Sequence, residues 1–322
     1  MTTKKMFFIF MGLILFVLAA PPVKAGVSSS IYGDYYYIVK SPTSSQEKLN
    51  GFWLRRIYIT YDADISDKLK ARVRLEMAND GTLGTNALNI TPYVKDAYIA
   101  YRFNPLHSLI IGIQDSLTWS NIEKFYGYRH LEKTPFDLYK NRSGRDFGIA
   151  VNGSFDKNKK FGYAVMFGNS SGIKDETDKY KQVSASLILN NAIPNFMFEI
   201  NGDFAKKSAA KKTSLLQAFG GFQGDWGRIG LNYGWETIKE TGKPDVEFKV
   251  FSAFVVGKFS KKVEVVARYD ASADPQPNGQ DKFFLIQKNF KTNVFIAGLG
   301  WNIHPKFQVM PNLKMVTYKE DA

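Results

Sequence analysis

Cysteine is absent from all 322 residues, and histidine occurs only three times. Disulfide scaffolds, thiol nucleophiles and Cys-based zinc sites are therefore excluded. His107, His130 and His304 lie far apart, with no H-E-x-x-H spacing and no phosphate-cradling glycine loop around them. No cofactor or metal is expected. Past residue 25 no apolar run approaches the roughly 20 residues that a membrane helix needs. The basic residues alternate with acidic ones instead of forming one face, which disfavours nucleic acid as a partner.

The first twenty-five residues read as an export address. Lys4 and Lys5 form a charged start, Met6 to Ala20 is apolar or small, and Val23-Lys24-Ala25 offers small residues for cleavage. Pro21-Pro22 ends the run too early for a membrane anchor. Residues 1–25 are thus expected to be a signal peptide, and 26–322 the mature unit. Loss of Lys4, Lys5 and Lys24 takes the net charge from +13 to +10. Three readings of that charge stay open: attraction of anionic solutes, contact with lipopolysaccharide, or a diffuse solvated surface.

What the chain does have is a period of two. Lys70, Arg72, Arg74 and Glu76 alternate with Ala71, Val73, Leu75 and Met77. Successive strand side chains face opposite ways, so such a strand is charged on one side and apolar on the other. The same alternation recurs at 147–155, 196–203, 228–236 and 263–270. Fifteen strands are expected, near 27–39, 49–62, 67–79, 93–103, 107–114, 146–155, 161–168, 178–190, 195–205, 213–224, 226–238, 246–260, 261–271, 290–303 and 306–318. Short polar breaks alternate with longer ones, the longer falling at 40–48, 79–92, 115–145, 169–177, 206–212, 239–245 and 271–289. One-sided loop lengths are the mark of an up-and-down transmembrane barrel. Aromatics, 15% of residues, gather near strand ends, where amphipathic rings favour the lipid–water boundary. The expected class is all-β: an antiparallel up-and-down barrel of about 16 strands, the last one missing from this chain. A split or merged segment, or a further strand at 283–287, would also explain the odd count.

Certain stretches resemble a known family. Gly51 to Tyr61, Lys70 to Glu76, Val94 to Ile99, Ser143 to Gly148, Ala267 to Asp270 and Ile296 to Leu299 are similar to strands of outer-membrane porins of the phosphate-selective porin O and P group. The resemblance implies a sixteen-stranded, trimeric pore passing small hydrophilic solutes through the bacterial outer membrane. Lipid and lipopolysaccharide are the implied surroundings. It does not carry phosphate selectivity to any residue, and the end at Asp321-Ala322 departs from the family's terminal aromatic.

The expected inward faces carry Arg56, Lys70, Arg72, Arg74, Arg102, Arg228 and Arg268 against Glu76, Asp96, Glu199, Asp203, Glu236, Glu264 and Asp270. A lumen with both signs selects by local rings, not by net charge. Arg56, Arg72 and Arg74 are the densest basic spot. They either wall an anion-favouring constriction or pair with neighbouring carboxylates and stiffen the lumen. The segment 115–145 is the longest break and is rich in aromatics. It either folds into the barrel, with Arg129, Lys133, Arg142 and Arg145 as constriction cations, or caps it outside. Lys157, Lys159 and Lys160 crowd a short turn without an evident transport role. Gly168-Asn169-Ser170-Ser171-Gly172 fits G-x-S-x-G, a serine-nucleophile pattern that needs a strand-to-helix elbow and a His partner. Two alternatives from other classes remain: a barrel that hydrolyses lipids, and a soluble secreted β-sandwich that binds a ligand.

Overall fold

The computed structural model describes residues 24–79, 91–279 and 286–319. Residues 1–23 of the expected signal peptide lie outside them, as does most of the possible strand at 283–287. Among the described residues no helix is long and apolar enough to cross a membrane.

Strands dominate the chain. They are β1 (Lys24–Tyr37), β2 (Asn50–Asp64), β3 (Leu69–Ala78), β4 (Pro92–Asn104), β5 (His107–Asp115), β6 (Arg145–Ser154), β7 (Phe161–Gly168) and β8 (Gln182–Asn190). The second half continues with β9 (Phe196–Lys206), β10 (Lys211–Gly224), β11 (Gly227–Glu240), β12 (Val246–Lys258), β13 (Val263–Ser272), β14 (Lys291–His304), β15 (Phe307–Val309) and β16 (Asn312–Lys319). All sixteen join one antiparallel sheet in which β1 to β15 each pair with their neighbours in sequence and β16 pairs with β14. A β-sandwich would need two sheets, so that alternative is set aside.

β15 and β16 both pair with β14, and the register runs through unchanged from Trp301↔Val309 to Gly298↔Asn312. They are one strand interrupted at Pro311. Leu299 donates to the Pro311 carbonyl at 3.0 Å, but proline has no N–H to return the bond. The expected strand at 306–318 is thus present in two pieces.

Side-chain alternation sets the two faces. Val73, Ile111, Ile149, Val165, Leu187, Leu231, Val255 and Leu299 stand on the outer face and are exposed. Phe103, Phe155, Phe196, Trp226, Phe259 and Phe307 project outward beside the short turns. This is an apolar band with an aromatic rim, the surface that a hydrocarbon core accepts.

Two expectations about loops need correction. The breaks after β9 and β11 are tight turns at 207–210 and 241–245, closed by Lys207 N–H to Lys211 O and Lys243 N–H to Glu240 O. The asymmetry rests on the other breaks, above all the one after β5. There α1 (Ser120–Tyr126) and α2 (Pro135–Leu138) turn into the cylinder. The tip of this loop shows that the sheet curls round. Arg55 of β2 and Lys314 of β16 both donate to the Leu131 carbonyl, at 3.4 and 2.6 Å. The second and the last strand thus converge on one peptide group.

The outer face predicts a depth-dependent cost. Leu231→Arg should destabilise the barrel by about 2–4 kcal/mol, as for a charge facing the bilayer midplane. Ala100→Arg, on the inner face opposite Lys70, should not. Denaturant unfolding of both variants in lipid, read by tryptophan fluorescence, checks the contrast.

Candidate functional site: a constriction built by the inward loop

The loop enters the lumen because its apolar residues find an apolar wall. Trp119, Ile122, Tyr126, Tyr128, Leu131, Phe136, Leu138 and Tyr139 pack against inward Leu215, Phe219, Phe248, Val250, Phe254, Val256, Val266, Val294 and Ile296 of β10–β14. Ring centroids lie 5.3 Å apart for Phe125–Phe219, 5.0 Å for Tyr126–Phe254 and 5.6 Å for Tyr139–Phe248. Gly234 makes room: a Cβ there would overlap the Phe136 ring. Beneath the loop, one void of only about 10 Å³ lies between Ile122, Tyr126, Pro135 and Phe254. The inner face of β10–β14 is therefore dry, contrary to the uniformly wet lumen that alternation alone implies.

Polar anchors fix the loop's register. Arg142 forms a bidentate pair with Asp203 at 2.8 and 2.9 Å and also meets Glu236. Gln217 donates to the Thr118 carbonyl at 2.6 Å, and Arg228 to that of Tyr126 at 2.8 Å. Arg268, locked to Asp270 at 2.6 and 2.9 Å, donates to the Lys133 carbonyl. Lys314 reaches Glu132 at 2.9 Å, and His130 Nε2 meets Gln308 at 2.9 Å.

The opposite wall keeps its water. Side chains there are 60% exposed at Lys70, 50% at Asp62 and 30% at Arg72, against 4% at Arg142 and 0% at Asp270. This wall of β2–β4 is open toward the short turns and closes toward the loop, where Glu76 is 2% and Asp96 3% exposed. A ladder of ion pairs lines it: Lys70–Asp64 at 2.8 Å, Arg72–Asp62 at 2.6 Å, Arg74–Asp96 at 3.2 Å and Arg56–Glu76 at 2.7 Å. Tyr58 sits in their midst, its ring within 5.7 Å of Arg56, 5.6 Å of Arg74 and 4.7 Å of Lys95. On the loop side Arg129 spans Glu123 at 2.9 Å and Asp137 at 3.2 Å, and Lys133 lies 3.7 Å from Asp137. Arg145 meets Asp96 and, at 2.6 Å, Asp115. Burial opposes charge on Asp137, but Lys133 and Arg129 overcome it and hold its carboxyl below the usual range. Burial pushes Glu123 up despite Arg129.

Solved structures of known channels share this architecture. An anion-selective porin from Comamonas acidovorans superposes with a TM-score of 0.66 at 10% identity, over 92% of this chain and 90% of that one. The fold is that of an outer-membrane porin. The outer-membrane channel DcaP of Acinetobacter baumannii matches with a TM-score of 0.63 at 12% identity, over 94% of each chain. The trimer form of OmpT from Vibrio cholerae gives 0.60 at 11%, over 93% and 89%. None of these three is described as phosphate-selective. No protein-family model matches the sequence, and no curated protein does.

Within this porin fold the expected site residues divide into three places. Lys70, Arg72 and Arg74 lie on the open wall, and Arg56, Glu76 and Asp96 lie largely buried at its loop end, with Arg145 beside them. Arg129 and Lys133 lie on the loop, tied to loop acids. The rest are displaced from open water. Arg142, Arg268 and Asp270 are buried under the loop as anchors, and Arg228 holds Tyr126 there. Arg102 sits at the short-turn rim, bonded to the Asp67 carbonyl. Strict alternation gave Arg102, Arg228, Arg268 and Asp270 to the lumen without allowing for the loop or the rim.

Two cations were missed. β2 bulges at Arg55, between pairs Tyr32↔Arg56 and Gly33↔Leu54, and β4 bulges at Lys95, between Arg74↔Asp96 and Leu75↔Val94. Each bulge turns two consecutive charged residues inward. Lys95 thereby reaches Glu76, and Arg55 reaches Asp34 at 3.2 Å and the His130 carbonyl at 3.1 Å. Adjacent charges inside a membrane strand, Arg55-Arg56 and Lys95-Asp96, were the available signal.

Ser170 is no nucleophile elbow. It occupies a left-handed turn at φ 69°, its N–H bound to the Asp146 carboxylate at 2.9 and 3.0 Å, and β8 follows instead of a helix.

Two outcomes follow for the docked loop. Arg142→Ala leaves Asp203 and Glu236 buried without their cation, which costs about 3–5 kcal/mol. Trypsin should then cut within 116–144 in the folded barrel, where the native protein resists. The second concerns pH. Burial lowers the His130 pKa, and Arg55 adds to that, while Gln308 and Asp34 oppose it and Lys314 assists. A base with a depressed pKa stabilises docking above its free value of about 6.5 and loses that contribution as pH falls. Conductance noise should rise between about pH 7 and pH 5. His130→Gln should flatten that rise, and Glu123→Gln should leave it in place.

Proposed function

We propose that this protein is an outer-membrane pore through which small hydrophilic solutes diffuse passively. The observation that carries this reading is the one-sided lumen. An apolar-skinned cylinder holds a docked loop against β10–β14 and leaves a charged, water-exposed strip along β2–β4. Passage there is filtered by width and by fixed charges, with no covalent step. Export through the expected N-terminal signal would deliver the chain to the outer membrane. The porin resemblance and the trimer form of a structural relative support a homotrimer, with lipid and lipopolysaccharide around it.

We further infer a mild anion preference. The wall is close to neutral because its cations are paired, and the mature chain carries an excess of ten positive charges. The structural relative named as anion-selective is consistent with that sign. Phosphate specificity is not part of this reading: none of the wall cations stands in an unpaired row.

Planar-bilayer conductance tests the pore itself, and absence of channels from folded protein would refute it. Reversal potential in a salt gradient tests selectivity. Arg72→Ala with Arg74→Ala removes two cations, leaving Asp62 without its partner at 2.6 Å and Asp96 with Arg145 alone. The reversal potential should move toward cations. Asp62→Asn and Asp96→Asn added to that pair should return part of the shift.

A further inference from the structure

The short turn between β6 and β7 carries three exposed lysines that the pore does not use. Asp156 is the turn's acid, and its carboxylate is already engaged. It accepts the N–H of Phe161 at 2.7 Å, the N–H of Lys160 at 3.1 Å and the Ser154 hydroxyl at 3.0 Å. These bonds hold its pKa below the usual carboxylate range. Among the described residues no ion pair ties down Lys157, Lys159 or Lys160.

Directly beside this turn the outer wall is not convex. A groove of about 310 Å³ runs over β7–β9, with Phe155 of the turn at its edge. Its floor is Ala185 and Gly202, directly paired across β8 and β9. Its walls are Phe155, Tyr163, Leu187 and Ile200. The near wall is held in place: the Phe155 and Tyr163 rings lie 4.8 Å apart at a tilt of 31°, and the Tyr163 hydroxyl meets His107 Nδ1 at 3.0 Å. Ala185 lies four residues along the β7–β8 ladder from the Phe161–Leu189 pair at the turn. At about 3.3 Å per residue the groove therefore reaches roughly 13 Å from the lysines. That is about half of a 25 Å apolar band, the depth of one leaflet.

We propose that this surface binds one anionic phospholipid of the leaflet at the short-turn end. The headgroup phosphate rests on Lys157, Lys159 and Lys160, and an acyl chain lies in the groove. The proposal rests on the membrane-pore reading, since a soluble protein would meet no such lipid. The occupant is a phospholipid and not lipopolysaccharide because the turn stands at the end opposite the long loops. The turn Lys258–Lys262 carries a similar charge but does not border this groove, and it serves as an internal control.

The test is native mass spectrometry of the full protein released from nanodiscs of mixed phosphatidylglycerol and phosphatidylcholine. One retained phosphatidylglycerol per chain is expected. The triple variant Lys157→Ala, Lys159→Ala, Lys160→Ala should lower its affinity about tenfold or more. Ala185→Leu, which fills the groove and leaves every charge in place, should also lower it. Lys261→Ala with Lys262→Ala should not. Equal loss in that control pair would mean a diffuse basic rim and overturn the proposal. So would retention by Ala185→Leu, which would leave only headgroup attraction, or equal displacement by lipopolysaccharide. Heat-modifiable gel mobility of each variant reports the barrel separately. Its loss in the native protein would refute the pore, whereas a normal shift with unselective lipid retention refutes the lipid site alone.

Discussion

A strand lying in hydrocarbon has two faces, and only one of them can carry charge. That constraint orders the rest of this structure. An arginine or lysine facing lipid near the midplane costs about 2–4 kcal/mol, a large share of a typical protein's net stability. Where the sequence places two charges side by side, as at Arg55-Arg56 and Lys95-Asp96, a regular strand would expel one of them. The bulges remove that conflict by giving up one rung of the ladder. They also concentrate charge on the inner face: Arg55, Arg56, Lys95 and Asp96 all meet partners inside the cylinder.

The inner face obeys a second requirement. A cylinder this wide holds more space than its own inward side chains fill. The loop after β5 fills it on one side only. Its aromatic rings cover the apolar inner residues of β10–β14, and its backbone carbonyls are met by Arg228, Arg268, Lys314 and Arg55. Those arginines and lysines satisfy orphan carbonyls of an irregular segment, which could not otherwise sit at membrane depth. Burying Arg142, Asp203 and Glu236 together is not in itself a strong source of stability, because desolvation offsets much of the attraction. Its effect is on uniqueness: a loop displaced by one turn would strand a charge in a dry site.

The fold was legible because period two survives wherever one face meets lipid and the other meets water. It was readable at Lys70–Met77 and again at 228–236, and the observed strands fall there. It fails on β12, where Phe248, Val250, Phe254 and Val256 are apolar on the inner face while Phe251 and Val255 are apolar on the outer. Both faces of that strand meet hydrocarbon-like surroundings, lipid outside and the loop inside, so no alternation is required of it. The wall half of the constriction was legible for the same reason as the fold. The loop half was not, since Arg142 and Arg129 sit in a stretch with no period, and their partners Asp203 and Asp137 are set by docking. Pro311 shows the converse: a strand reads through a proline when the ladder loses only that one donor.

The charged strip is best understood as a row of dipoles and not as a row of cations. Each of Arg72–Asp62, Arg74–Asp96 and Arg56–Glu76 spans neighbouring strands, so the pair lies across the direction of flow. An ion at this wall would meet both signs at nearly the same depth, and screening at physiological salt, about 8 Å, leaves little field beyond the pair. Such a wall lowers the barrier for polar solutes by offering alternating donors and acceptors, without holding any of them. Selectivity then falls to whatever charge is left unpaired along the path and at the rims. The single phenol ring of Tyr58, shared by Arg56, Arg74 and Lys95, keeps three cations close at the point where the loop approaches the wall. Their mutual repulsion is offset by Glu76 and Asp96, so any change at those two carboxylates acts on the whole cluster at once.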